Sequence, residues 1–380
     1  MIICVVCDVL GEENNGTTIA AMNLIRSLRK KNHTVRVVCP DENKKGEPDC
    51  YVVRSAGLGP FNNYVKKNGV VIAWPDKKVL REALTGADHV HLMTPFFLAS
   101  SALRLARKLN IPVTAGFHCQ AENISSHLFL KNNALFNRAV YKYFYRHFYR
   151  YVDGVHYPTE FIRQVFERYG GKTNAFVISN GVGSEFRPIA EKRPAEFEGK
   201  QVILFTGRYS KEKSHKVLID AVKKCRHRDT VKLIFAGDGP LKEKLKRYSR
   251  GLTCPPTFKF FPREEMVRVI NAADLYVHPA EIEIEAISCL EAISCGIVPI
   301  ISDSPRSATK YFALDEKNLF SCNDSGDLAK KIDYWLDNPE EKAARSKEYV
   351  GYTKKFDFDI CMDRMEQMII KVHNERVNNG

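Results

Sequence analysis

An α/β fold of two doubly wound parallel sheets is what this sequence predicts, and three observations predict it. The chain has 380 residues, too many for one ordinary core. Short β-rich runs alternate with helical segments, and they do so in two successive series. A polar, proline-bearing stretch, Ser184–Lys200, separates the series and reads as a linker. The expected domains are residues 1–188 and 198–352, with a last helix over about 353–380 packing back on the first.

The first series opens on "MIICVVCDV", which has no basic flank and reads as a strand, not as a signal peptide. Further strands are expected at "TVRVVCP", "HVHLM", "IPVTAGFH", "GVHYP" and "AFVISN", with helices over Thr17–Lys31, Ser100–Leu109 and Thr159–Tyr169. In the second series the strands are "QVILFTGR", "VKLIFAG", "FKFF", "LYVHP" and "VPIISD". Helices are expected over His215–Cys225, Leu241–Ser249, Arg263–Ala272 and Ala286–Cys295.

Composition narrows the function. The apolar share, 44%, fits a globular chain. No apolar run reaches the roughly 20 residues that span a bilayer. Eleven cysteines in a chain without an export signal should stay reduced, and the Cys4/Cys7 pair lies within a strand, where buried core thiols are expected. Residues 1–188 carry 25 Lys+Arg against 15 Asp+Glu, a net +10, while the remainder carries 33 against 30. The first half should therefore meet something anionic. No nucleic-acid-binding signature accompanies this charge, so a nucleic-acid partner is not expected. GxxxxGK[ST] is absent, which excludes a P-loop.

In open parallel sheets ligands bind beyond the carboxyl ends of strands, and two such domains facing each other would enclose a cleft. Gly16 and Thr17 open a helix after the first strand, where free amides suit an anion. His118 follows the fourth strand run. Arg208 follows "QVILFTG", with Lys211 and Lys213 behind it, and cations there can bind a diphosphate. Gly237-Asp238-Gly239-Pro240 forms a tight turn after "VKLIFA". After "LYVHP" comes "AEIEIEAISCLEAISCG", with Glu281, Glu283, Glu285 and Glu291 set among small and apolar residues. A buried carboxylate needs a polar partner, and a ligand's hydroxyl groups would supply one.

Taken in order, Asn15–Gly16, His118, "ISNGVGSEFRP", "GRYSKEK", "GDGP" and the Glu283/Glu291 pair resemble the EX7E retaining glycosyltransferases of family 4, which have the GT-B fold of two Rossmann-like domains. The resemblance implies roles. Arg208 and Lys213 would neutralise a donor diphosphate, so no metal ion and no cofactor is expected. Glu291 would accept from the nucleotide ribose hydroxyls and Glu283 from those of the transferred sugar. His118 would sit at the reacting face of the sugar. Backbone at Gly16, Gly237 and Ile284, Glu285, Ala286 and Ile287 would line the donor, helped by the helix N-terminus. The chain departs from the pattern twice. Ile284-Glu285-Ala286 stands where the family has Gly-Phe-Gly, and Gly183 stands where "NGVD" ends in aspartate.

The version of the motif found here, followed by "SDSPRSAT", resembles the bacterial diacylglycerol glucosyltransferase branch. That implies UDP-glucose as donor, diacylglycerol as acceptor, and a cytoplasmic, peripheral place on the inner face of the plasma membrane. A soluble or polysaccharide acceptor, or GDP-mannose as donor, is the alternative. Arg138, Lys142, Arg146 and Arg150 lie at four-residue spacing in "NNALFNRAVYKYFYRHFYRYVDG", with aromatic residues interleaved. At that spacing they share one helix face, and basic with aromatic residues on one helix fit an anionic membrane surface.

Overall fold

The computed structural model describes residues 1–8, 16–55, 73–127, 132–190 and 193–378. Two compact units emerge, Met1–Asn180 with Asp359–Gly380, and Gly181–Phe358. Among the described residues each is built on one parallel sheet.

In the first unit β1 (Ile2–Val6), β2 (Thr34–Cys39), β3 (Cys50–Val52), β4 (His89–Leu92), β5 (Val113–Gly116), β6 (Gly154–Tyr157) and β7 (Ala175–Val177) run in the order β3-β2-β1-β4-β5-β6-β7. The central strands are buried along their whole length, as a sheet covered on both faces requires. Cys4 and Cys7 lie fully buried at the centre of this core. The helix Gly16–Lys30 presents Ala20, Ala21, Leu24 and Leu28 inward, at helical spacing. At the chain's end the helix Phe358–Asn378 contributes Met362, Met365, Met368, Ile369 and Val372 to the buried set. Its Glu366 binds Lys31 at 2.9 Å and His33 at 2.7 Å, and Asp363 also pairs with Lys31.

In the second unit β8 (Gln201–Thr206), β9 (Val231–Ala236), β10 (Thr257–Lys259), β11 (Leu275–His278), β12 (Pro299–Ser302) and β13 (Leu319–Phe320) run β10-β9-β8-β11-β12-β13. Both sheets change direction beside their first strand, so that β1 lies between β2 and β4, and β8 between β9 and β11. The stretch Ser184–Lys200, expected as a linker, starts inside the second unit. Phe186 and Phe197 explain this: both are buried in that unit's core, and Arg193 pairs with Asp274 at 2.6 Å.

The helix expected to carry four basic residues on one face is shorter than expected. It spans Ala134–His147 and ends at Phe148, whose φ of −141° and ψ of −71° leave helical geometry. Arg138, Lys142 and Arg146 share its outer face, whereas Arg150 lies in a separate 3-10 turn, Tyr149–Tyr151, over the Tyr151 ring. Of the interleaved aromatics, Tyr141, Phe144, Phe148 and Tyr149 are core residues, and the rings of Tyr141 and Tyr149 pack against Phe117 and Phe166. The exposed apolar side chains beside the basic residues are Leu135, 79% exposed, and Tyr143, 60% exposed.

Two glycines set the approach of β8 to β9. A Cβ on Gly237 (φ +155°) would lie 2.1 Å from the Gly207 carbonyl oxygen, and one on Gly239 would lie 2.7 Å from the Tyr209 amide. These turns are bonded together by Gly207 N to Ala236 O at 2.9 Å and Tyr209 N to Asp238 O at 2.9 Å. Gly237→Ala must push backbone against backbone. It should lower stability by about 2 kcal/mol or more, read as a fall in the urea midpoint; an unchanged midpoint would show that the turn yields freely.

Candidate active site

At the carboxyl ends of β8 and β11 the sequence places opposite charges in one buried region. Beyond β8 the chain forms a 3-10 turn, Lys211–Lys213, closed by Ser214 in the left-handed region at φ +51°. The turn carries Lys213 to Glu283, which its ammonium contacts directly. From the end of β11, His278 Nε2 lies 3.1 Å from the same carboxylate oxygen. Burial opposes charge on Glu283, but the Lys213 ammonium and the His278 hydrogen bond outweigh it and hold the carboxyl at about 2. His278 is itself fully buried, and burial lowers its affinity for a proton. A neutral imidazole that serves a carboxylate carries its proton on Nε2. Its Nδ1 is then left to accept from the Tyr276 hydroxyl, 3.2 Å away.

The loop bearing Glu283 is clamped on its far side. Glu283 donates its amide to Arg306 O at 3.4 Å and accepts from the Ala308 amide at 2.9 Å. Glu281 is buried and binds Arg306 at 2.9 Å and Asn323 at 2.7 Å. Ile284 is half-buried and Glu285 is buried. Ala286 adopts φ +62°, ψ +65° and starts the helix Ile287–Ser294. That conformation costs an alanine of order 1 kcal/mol, and it is the position at which the resembled pattern has glycine. Ser288 anchors the first turn through Thr206 O at 3.3 Å.

Glu291 lies one helical turn further on and fares differently. Burial raises its carboxyl to about 7; Arg263, 3.8 Å away, pulls it down and Glu185 pushes it up. Arg263 is held more closely by Glu185, at 2.5 Å. Arg208, Lys213, Gly237, Ile284 to Ile287, Glu283 and Glu291 thus all lie in the second unit, in the segments that follow β8, β9 and β11.

His118 belongs to the first unit and follows β5. Its ring folds back over Gly116, where a Cβ would meet Nε2 at 2.5 Å. Together with His91, His156, Asn180, Met93, Met362 and other apolar residues it lines a small cavity of about 10 Å³. Burial holds His118 neutral, with its affinity for a proton far below the ordinary histidine value, and His156 and His91 add to the effect. Gly16 is the exposed first residue of its helix; Asn15 lies outside the described residues. No group of three or more His, Cys, Asp or Glu that could hold a metal occurs among the described residues. Nor is any described helix long and apolar enough to cross a membrane.

Sequence reasoning missed His278, Tyr276, Arg263 and Glu185 as neighbours of the paired glutamates. His278 carried a usable signal, since it ends a strand five residues before Glu283. Arg263 carried none, being one basic residue at the start of an ordinary helix.

Two family models match the chain in succession, Glycosyltransferase Family 4 over residues 14–186 and Glycosyl transferases group 1 over residues 186–351. This chain belongs to the glycosyltransferases of the GT-B fold. Among relatives, the alpha-monoglucosyldiacylglycerol synthase of Streptococcus pneumoniae is 29% identical over 232 residues, covering 57% of this chain. The match spans about half of that relative's own length, 52%. A GDP-mannose-dependent alpha-mannosyltransferase of Mycobacterium tuberculosis is 24% identical over 303 residues, 76% of each chain. Anabaena HepE in complex with UDP and glucose superposes with a TM-score of 0.75 over 98% of this glycosyltransferase and 100% of HepE, at 16% identity, a likeness of fold.

The buried Glu283 makes one property testable directly. A carboxyl held below its unfolded value contributes stability above that value and loses it as pH falls. The window runs from about 4.5 down to about 2, and the contribution is on the order of 3 kcal/mol. Thermal melts from pH 6 to pH 2.5 should show a shallower acid decline for Glu283→Gln than for wild type; parallel declines would refute the pairing.

Proposed function

We propose that this glycosyltransferase moves a hexose, with retention of anomeric configuration, from a nucleotide-diphosphate sugar to a membrane lipid. UDP-glucose and diacylglycerol are the donor and acceptor we favour. The observation that carries the donor half is the contact of Lys213 with Glu283 in a buried place. A cation and a carboxylate kept charged there match the two ends of a sugar diphosphate. The diphosphate would compete for Lys213 while the sugar hydroxyls take the carboxylate. Arg208, two residues beyond β8, would share the phosphate charge.

Breaking the bond between sugar and phosphate develops negative charge on the leaving diphosphate. Cations already on the diphosphate at that moment would stabilise the charge without further reorganisation and so speed the step. Glu291 would accept from ribose hydroxyls, and the helix amides following Ala286 would add positive potential. His118, held neutral, would serve the reacting sugar as a hydrogen-bonding group and not as a cation. Glu283, charged and already committed to hydrogen bonds, is suited to orienting hydroxyls.

The lipid half rests on the glycolipid synthase among the relatives and on the surface of Ala134–His147. Arg138, Lys142 and Arg146 with exposed Leu135 and Tyr143 form a basic and apolar face that fits an anionic bilayer. A second reading keeps the transfer but takes GDP-mannose as donor, and the mannosyltransferase relative supports it.

Thermal shift against a panel of nucleotide sugars identifies the donor, and transfer to diacylglycerol in anionic micelles then tests the reaction. With that assay Arg208→Ala should cut turnover on the order of 10², while a chelator changes little. Chelator inhibition reversed by magnesium or manganese would contradict the metal-free scheme.

The membrane claim makes a separate prediction. Cations at an anionic surface are worth roughly 1 kcal/mol each, so Arg138, Lys142 and Arg146 together should give salt-sensitive binding to vesicles containing phosphatidylglycerol. Changing all three to glutamine should release the protein while sparing nucleotide binding. If wild type ignores such vesicles at low salt, a soluble acceptor becomes the better reading.

A further inference from the structure

Gly183 is the point of departure. The resembled pattern carries a carboxylate there, and this chain has none. The structure returns one from two residues along: a Cβ on Gly183 would lie 2.1 Å from Glu185 Oε2, so the Glu185 carboxylate occupies the volume that a side chain at 183 would fill.

Glu185 is not free to wander. Phe186 donates its amide to Gly183 O at 3.0 Å, closing a turn, and its ring is buried in the core. Beyond the turn, Asn271 binds Arg187 O at 3.2 Å and the Ile189 amide at 2.9 Å. The segment is thereby fastened to the far end of the helix Arg263–Asn271, and Glu185 faces that helix's first residue. Arg263 gives its Nε to Glu185 at 2.5 Å and lies 4.9 Å over the Phe186 ring. With Nε tethered, Nη1 faces Glu291 Oε1 at 3.8 Å.

That last distance is too long for a direct hydrogen bond. It suits a hydroxyl placed to one side of the gap, at normal hydrogen-bond length from both groups. Such a hydroxyl would accept from Arg263 and donate to Glu291. We propose that Arg263, held by Glu185 in the space left by Gly183, forms with Glu291 a two-sided clamp on one ribose hydroxyl of the nucleotide donor. This rests on the reading of Glu291 as the ribose-binding carboxylate. The charged or titratable groups around Glu291 are Arg263, Glu185, Tyr276 and Cys295, and among these Arg263 is the cation. A cation there favours the ionised, accepting form of Glu291 against its burial, while leaving the hydroxyl a donor to bind. Lysine could not replace it, because one ammonium cannot hold Glu185 at one nitrogen and present a second.

Calorimetry on the full chain tests this with uridine diphosphate and guanosine diphosphate, each as the ribo, 2′-deoxy and 3′-deoxy form. Wild type should bind the tighter ribonucleotide roughly ten- to hundredfold better than the form lacking the clamped hydroxyl. Arg263→Gln and Arg263→Lys should lose most of that preference while binding the deoxy form as wild type does. Arg263 is a half-exposed residue at a helix start, and matched melting temperatures would show that the variants fold. Glu185→Gln should lose part of the preference, and Gly183→Ala, which displaces the Glu185 carboxylate, a similar part. Undiminished preference in Arg263→Gln overturns the clamp, as does an equal loss for all three sugar forms, which would place Arg263 on the phosphates. Glu291→Gln separates the two levels. If it binds the ribonucleotide like wild type, the reading of Glu291 falls and the clamp with it; if only Glu291→Gln is impaired, Glu291 stands and Arg263 does not.

Discussion

The second unit is organised around a carboxylate that stays charged where water is scarce. An ionised carboxyl in such a place costs several kcal/mol unless it is paired and hydrogen-bonded. For Glu283 both conditions are met, and each has a structural consequence. The turn after β8 must deliver Lys213, which it does through a residue in left-handed conformation. The last residue of β11 must be a neutral donor, so His278 is buried with its other nitrogen turned to Tyr276. The loop itself must not swing away, and Glu281 with Arg306 and Asn323 holds it. Removing any one of these takes a partner from a buried carboxylate, which is why the ends of β8 and β11 and the loop bearing Glu283 depend on one another.

The cluster of glutamates in a basic chain then has a physical account. Alternation with small and apolar residues places the four carboxylates in four environments. Glu281 is a structural tie and Glu285 is buried at the helix entrance. Glu283 and Glu291 are separated by seven residues and driven in opposite directions, one to about 2 and the other to about 7. The difference lies in the partners. Glu283 touches a cation, whereas the guanidinium near Glu291 stands further off and is shared with Glu185. Two carboxyls from one motif therefore behave as one permanent anion and one group able to change its charge near neutral pH.

Much of this was legible in the sequence, and the parts that were not share a cause. Long apolar runs announced the central strands of both sheets, and Arg208, Lys213, Glu283 and Glu291 were singled out as candidates because they follow such runs. The edge strands Cys50–Val52 and Leu319–Phe320 are too short to show a period. The helix end at Phe148 was hidden because the four-residue spacing of basic residues continues past it to Arg150. Phe148 and Tyr149 turn into the core, and that tertiary demand breaks the helix. The polar stretch Ser184–Lys200 read as a linker because two buried phenylalanines in seventeen residues look sparse. Partners such as Arg263 and Glu185 meet across 78 positions, a distance that no local pattern encodes.

The two departures from the resembled pattern make the same point from opposite sides. At 286 the backbone takes a left-handed conformation natural to glycine although the residue is alanine, so the conformation is imposed by what surrounds it. The Glu283 loop is bonded to 306–308 on one side and the helix to Thr206 on the other, and a strain of order 1 kcal/mol is small against those ties. At 183 the side chain is gone, yet a carboxylate fills its place from Glu185. In the first case the surrounding ties hold an alanine in a conformation natural to glycine, and in the second a residue two positions along supplies the carboxylate beside 183. At this end of the sheet tertiary ties set where backbone and charge lie, more than the side chain at either position does.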